Sequence, residues 1–75
     1  MRDTFRVWNL DAVEREVVLR SSDDRYVAVP LPEGRADLFE RLADDGGTVD
    51  ATLVETDEGS TSWRVDAIHA VDEGT

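Results

Sequence analysis

Arg6, Trp8, Arg20, Arg25 and Tyr26 supply two side-chain types that hold flat anionic molecules, planar cations and large aromatic faces. A guanidinium presents a fork of donors that fits an oxyanion, and an indole or phenol ring stacks on another π-face. All five lie in residues 1–31, where five arginines stand against six acidic residues. Residues 32–75 carry three arginines against twelve acids, so the two parts hold −1 and −9 of the total −10. An anionic ligand meets the weaker repulsion in the first part of the chain.

Other chemistry has less to build on. His69 is the one histidine, and no nucleophile-elbow sequence surrounds the serines at positions 21, 22, 60 and 62. His69 continues the alternation of Trp63, Val65 and Ala67, which predicts a strand-end or core-edge imidazole rather than a general base. The pairs Asp23-Asp24, Asp44-Asp45 and Asp57-Glu58 lack the alternating ligands and closing glutamate of a calcium loop, and read as solvated acidic loops. The absence of cysteine removes disulfides, thiolate metal sites and cysteine nucleophiles together. The glycines form no phosphate-cradling pattern. The expectation is a chain that is not an enzyme and uses no metal and no cofactor.

Period-two patterning predicts the elements that carry the arginines and aromatics. Residues 4–10 place Phe5 and Val7 on one face and Arg6, Trp8 and Leu10 on the other, with a turn at Asn9-Leu10-Asp11. Residues 13–20 put Val13, Val17 and Leu19 in phase, with Arg15 as the exception on the apolar side. Residues 25–31 send Val27, Val29 and Leu31 inward and Tyr26 and Ala28 outward; Pro30 ends that strand or marks it as an edge. A helix follows over residues 35–43, with Leu38, Phe39 and Leu42 on one stripe and Gly46-Gly47 as its C-terminal cap. Strands over residues 48–56 and 61–70 form a hairpin around Asp57-Glu58-Gly59-Ser60, with Val49, Ala51 and Leu53 sharing one face of the first and Trp63, Val65 and Ala67 sharing one of the second. Residues 72–75 read as a frayed tail.

The fold class predicted is α+β, mostly β: one domain over residues 1–75, a small five-stranded antiparallel barrel or strongly curved sheet with one helix between strands 3 and 4. This β-β-β-α-β-β order resembles the OB-fold, a partly open five-stranded barrel. The resemblance implies a binding face for single strands across strands 2 and 3, where Arg20 and Tyr26 project beside Arg6 and Trp8. The functional expectation is therefore a binding chain that takes single-stranded DNA or RNA through Arg6, Trp8, Arg20, Arg25 and Tyr26. The alternative is a protein partner or a homodimer, reached through an exposed strand edge beside the out-of-phase Trp8, Leu10 and Val18.

Composition adds a setting. All eight basic residues are arginine, none is lysine, and eleven of the eighteen acids are aspartate. Such composition resembles the proteins of haloarchaea, and it implies a fold adapted to high salt. At about 0.1 M salt charges interact over about 10 Å, and at about 1 M over only about 3 Å. No apolar run approaches membrane-spanning length, so a cytoplasmic chain with no membrane partner is expected.

Overall fold

A computed structural model of the chain describes residues 1–57 and 62–72. The elements are β1 (Arg2–Asp11), β2 (Glu16–Arg20), β3 (Tyr26–Pro30), α1 (Ala36–Asp45), β4 (Thr48–Glu55) and β5 (Trp63–Asp72). All five strands belong to one antiparallel sheet in the order β3-β2-β1-β4-β5. The edge strands β3 and β5 come into contact, so the sheet curves, but no ladder joins them among the described residues. The sheet is open, and the barrel half of the expectation is not met.

The central strand, β1, holds the sheet together. It pairs with β4 over Arg2 to Arg6 and with β2 over Arg6 to Asp11, so Arg6 stands where the two ladders meet. Strand alternation then sorts its side chains: Phe5 and Val7 are buried, while Thr4, Arg6 and Trp8 are exposed. The same sorting on β2, β3 and β4 buries Val17, Leu19, Val29, Val49, Ala51 and Leu53 beneath the sheet.

Helix α1 closes that apolar face. Phe39 and Leu42 are buried, and Leu38 packs against the same cluster. The helix starts without a side-chain cap at Arg35 and ends at Gly46, which takes a left-handed φ of 71° and donates its N–H to the Leu42 carbonyl. Glycine is suited to that conformation because a Cβ would crowd the following carbonyl. Asp44 lies in the last turn and Asp45 closes it, with no basic residue in that turn to offset them.

Three local readings change. The turn predicted at Asn9-Leu10-Asp11 is strand, and the chain turns instead over residues 12–15, where Asp11 accepts hydrogen bonds from the Val13 and Glu14 amides. Val13 is therefore 90% exposed rather than part of the apolar face, and Arg15 sits in the turn with φ 55°. Secondly, the β1–β2 register shifts between Val7 and Asn9, and this bulge returns Leu10 to the core side, opposite Val17. Thirdly, the β4–β5 ladder shifts between Asp50 and Ala51 and again between Thr52 and Leu53. Ile68 consequently packs against the core, and His69 is exposed rather than at the core edge. The predicted hairpin tip Asp57-Glu58-Gly59-Ser60 lies beyond the described residues after Asp57, and so does most of the predicted tail.

Candidate nucleic-acid interface

The face of the sheet away from α1 brings four of the five predicted side chains together. Arg6 on β1 is the Cα partner of Arg20 on β2, and Arg20 is the partner of Tyr26 on β3, so the three form one row across three strands. Val18 and Ala28, also cross-strand partners, are half-buried on the same face two residues along. Trp8, at the bulge, meets Tyr26 with ring centroids 5.2 Å apart and planes inclined by 72°. That edge-to-face arrangement is favoured by the ring quadrupoles. The Arg20 guanidinium carbon lies 6.0 Å from the Trp8 centroid, at the outer reach of a cation–π contact.

Contact between the rings does not hide them. Trp8 remains 57% exposed and Tyr26 55%, an unusual position for the largest side chains of a chain this short. Neither is recruited to the core, which Phe5 and Phe39 fill instead.

The arginines are unequal. Arg20 donates from Nε to Asp24 Oδ1 at 3.0 Å, a hydrogen bond that raises its already high pKa and keeps it charged. Arg6 has no ion pair or side-chain hydrogen bond among the described residues. Like charges placed directly across a ladder repel, and Asp24 relieves that repulsion from the Arg20 side only. A hollow at Arg6 and Arg20 is lined by these two and by Thr4, Ser21, Ser22, Asp24 and Thr48, and neither ring lines it. Its composition suits a phosphate oxygen at Arg6 and hydroxyl or carbonyl groups around it.

Arg25 does not join the group. It sits in the turn before β3, 3.2 Å from Asp23 Oδ2, with its side chain 80% exposed. Arg2 is also engaged, donating to both oxygens of Asp50 at 3.2 and 3.0 Å. Sequence reasoning named Arg6 and Arg20 but missed the other residues that line the hollow. Thr4 was legible, since it precedes Arg6 and Trp8 in the same alternation; Thr48 and Asp24 arrive through pairing and turn geometry.

The β2–β3 turn is fastened to the border of this face by Asp3. Ser22 Oγ donates to Asp3 Oδ1 at 2.8 Å and its backbone N–H to Oδ2 at 3.3 Å. The Ser22 hydroxyl, with help from the Thr4 and Ser22 amides, holds the Asp3 carboxyl below its ordinary value of 3.8. A depressed folded-state pKa contributes stability above the unfolded value and loses it as pH falls through the folded one. Ser22→Ala is therefore expected to lower stability at neutral pH and to have little effect at pH 2. Urea unfolding across that range measures the difference; a gap that stays constant with pH contradicts the assignment.

Elsewhere on the outer face, Thr52 Oγ1 and His69 Nε2 lie 2.7 Å apart on β4 and β5, beside the Arg2–Asp50 pair. Among the described residues, no helix is long and apolar enough to cross a membrane. No family model, curated protein or solved structure matches the chain.

Proposed function

We propose that the chain binds single-stranded nucleic acid on the outer face of β1, β2 and β3, in a high-salt environment. The carrying observation is the Trp8–Tyr26 pair, two rings more than half exposed and set edge-to-face, on the same face as Arg6, which has no carboxylate partner among the described residues. A base stacks on such a ring for about 1–3 kcal/mol, whatever its identity. The strand order β3-β2-β1-β4-β5, with β3 touching β5, supports an OB-like reading of the fold, in which this face is the one that receives single strands.

Magnitudes favour stacking over charge. Many phosphate contacts would lose about 10³–10⁵ in affinity between 50 and 200 mM salt. A site built on two rings, with Arg6 unpaired among the described residues, forfeits little of its binding energy to salt. It suits the lysine-free, aspartate-rich composition that resembles haloarchaeal proteins. Titration with short single-stranded oligonucleotides in about 2 M KCl, followed by NMR at the Trp8 indole and Tyr26 ring, tests the reading. Both signals should move together and saturate; signals that stay still at high oligonucleotide concentration overturn it.

A second reading is self-association through the edge strand β5, which presents ten residues at the margin of the sheet. Arg64 and Asp66, exposed on that strand, are the kind of charged residues that discourage edge pairing, which favours the first reading. Sedimentation at the same salt separates them, since dimerisation through β5 makes the mass rise with concentration.

A further inference from the structure

The hollow at Arg6 and Arg20 contains more than a phosphate site needs. Asp24 stands in it, 2.5 Å from Arg20 through Oδ1, while Oδ2 has no protein partner among the described residues. The carboxylate is 73% exposed and faces the same opening as Arg6. Thr4 and Thr48 line that opening too, and neither hydroxyl makes a side-chain hydrogen bond among the described residues. A carboxylate in a site for a polyanion repels each phosphate unless the ligand also brings a hydrogen-bond donor to it.

Resting on the nucleic-acid reading above, we infer that this hollow reads the sugar and that the preferred ligand is RNA rather than DNA. A ribonucleotide carries, within one unit, a phosphate for Arg6 and a 2′-hydroxyl whose proton is donated to Asp24 Oδ2. The 2′-oxygen in turn accepts from Thr48 or Thr4. The 2′-hydroxyl is the group by which proteins tell RNA from DNA at a given position. A deoxynucleotide brings no donor to Asp24 Oδ2 at that position, so the charge-assisted hydrogen bond is lost. The surroundings of Asp24 are mixed: Arg6 and Arg20 attract the backbone, Asp24 itself repels it, and Asp3 is already turned to Ser22. Discrimination therefore falls on the sugar.

The test compares oligo(U) RNA with the deoxyuridine oligomer of equal length, so that base and charge are constant. Wild type is expected to bind the RNA about tenfold more tightly, the effect of one charge-assisted hydrogen bond. Asp24→Asn keeps a residue that tolerates the left-handed φ of 64° and removes the charge that strengthens the bond from the 2′-hydroxyl. It is expected to bring the two affinities to within about twofold, mainly by weakening RNA, which alone makes the charge-assisted bond. Thr48→Val, which preserves a β-branched strand residue, is expected to weaken RNA alone.

The outcomes separate the two ideas. Equal wild-type affinities for both oligomers overturn the sugar reading and leave the nucleic-acid reading standing. An RNA preference unchanged in Asp24→Asn and Thr48→Val overturns the assignment to this hollow. Binding of neither oligomer removes the nucleic-acid reading and the sugar reading with it. A collapse of the preference in Asp24→Asn, with native NMR dispersion retained, establishes it.

Discussion

Phe39→Ala is expected to leave the chain largely unfolded or close to its threshold even in 2 M KCl. Phe39 is fully buried, and with Leu42 and Leu38 it attaches α1 to the sheet. Replacing a buried phenylalanine by alanine costs about 3–5 kcal/mol, counting the lost transfer energy and the cavity. A chain of 75 residues has about 4–11 kcal/mol of total stability, at about 0.05–0.15 kcal/mol per residue. The loss therefore approaches the lower part of that range. The helix cannot compensate by itself, since ten residues are too few for an independent helix in water. Urea denaturation is the measurement to use, because guanidinium chloride would change the ionic strength together with the denaturant. Glu40→Ala, on the exposed side of the same helix, should stay within about 0.5 kcal/mol of wild type. A Phe39→Ala loss below about 1 kcal/mol would mean that the helix is not the lid of this core.

Salt removal is the second large effect. The outward face of the second part of the chain carries Asp50, Asp66 and Asp72, with Asp44 and Asp45 closing the helix. Those two acids oppose the helix dipole by about 0.3–1 kcal/mol each at low ionic strength. Together they cost about 1 kcal/mol, which in a chain of this size moves the melting midpoint by about 4–8 °C. Mutual repulsion within a net charge of −10 adds to this in the same direction. Both terms fade as the screening length shrinks from about 10 Å to about 3 Å. Thermal unfolding should therefore shift upward by at least several degrees between 50 mM and 2 M KCl. Asp44→Asn with Asp45→Asn should reduce that dependence. Equal midpoints at the two salt concentrations would remove the high-salt reading.

The parts of the fold that were legible in the sequence are those where alternation runs unbroken. Phe5 and Val7, Val17 and Leu19, and Val49, Ala51 and Leu53 each repeat at intervals of two, and all are buried. The helix was legible for a similar reason, because Phe39 and Leu42 lie three apart and Gly46 follows the last turn. What alternation conceals is a change of phase. The bulge after Val7 returns Leu10 to the core, and the two shifts in the β4–β5 ladder send Ile68 inward and His69 outward. A bulge is defined by what the partner strand does opposite it, and that pairing is not written in one strand's own pattern.

The same distinction governs the site. Arg6 and Trp8 were legible as neighbours on one strand face, and Arg20 and Tyr26 as outward residues flanking a loop. Arg25 precedes Tyr26 directly, so period-two spacing already directs it away from the ring, and the turn then pairs it with Asp23. Contact between Trp8 and Tyr26 spans three strands and depends on the bulge, which no local pattern specifies.

The most direct measurement is the affinity of one short single-stranded oligonucleotide for wild type and for Trp8→Ala, both in about 2 M KCl. Trp8 is more than half exposed, so its removal should leave the fold intact while deleting a stacking surface. Losing about 1–3 kcal/mol of stacking predicts a fall in affinity of about five- to 150-fold, with Trp63→Phe in the core-packed position changing affinity little. Equal affinity of wild type and Trp8→Ala would contradict a binding face built on Trp8 and Tyr26.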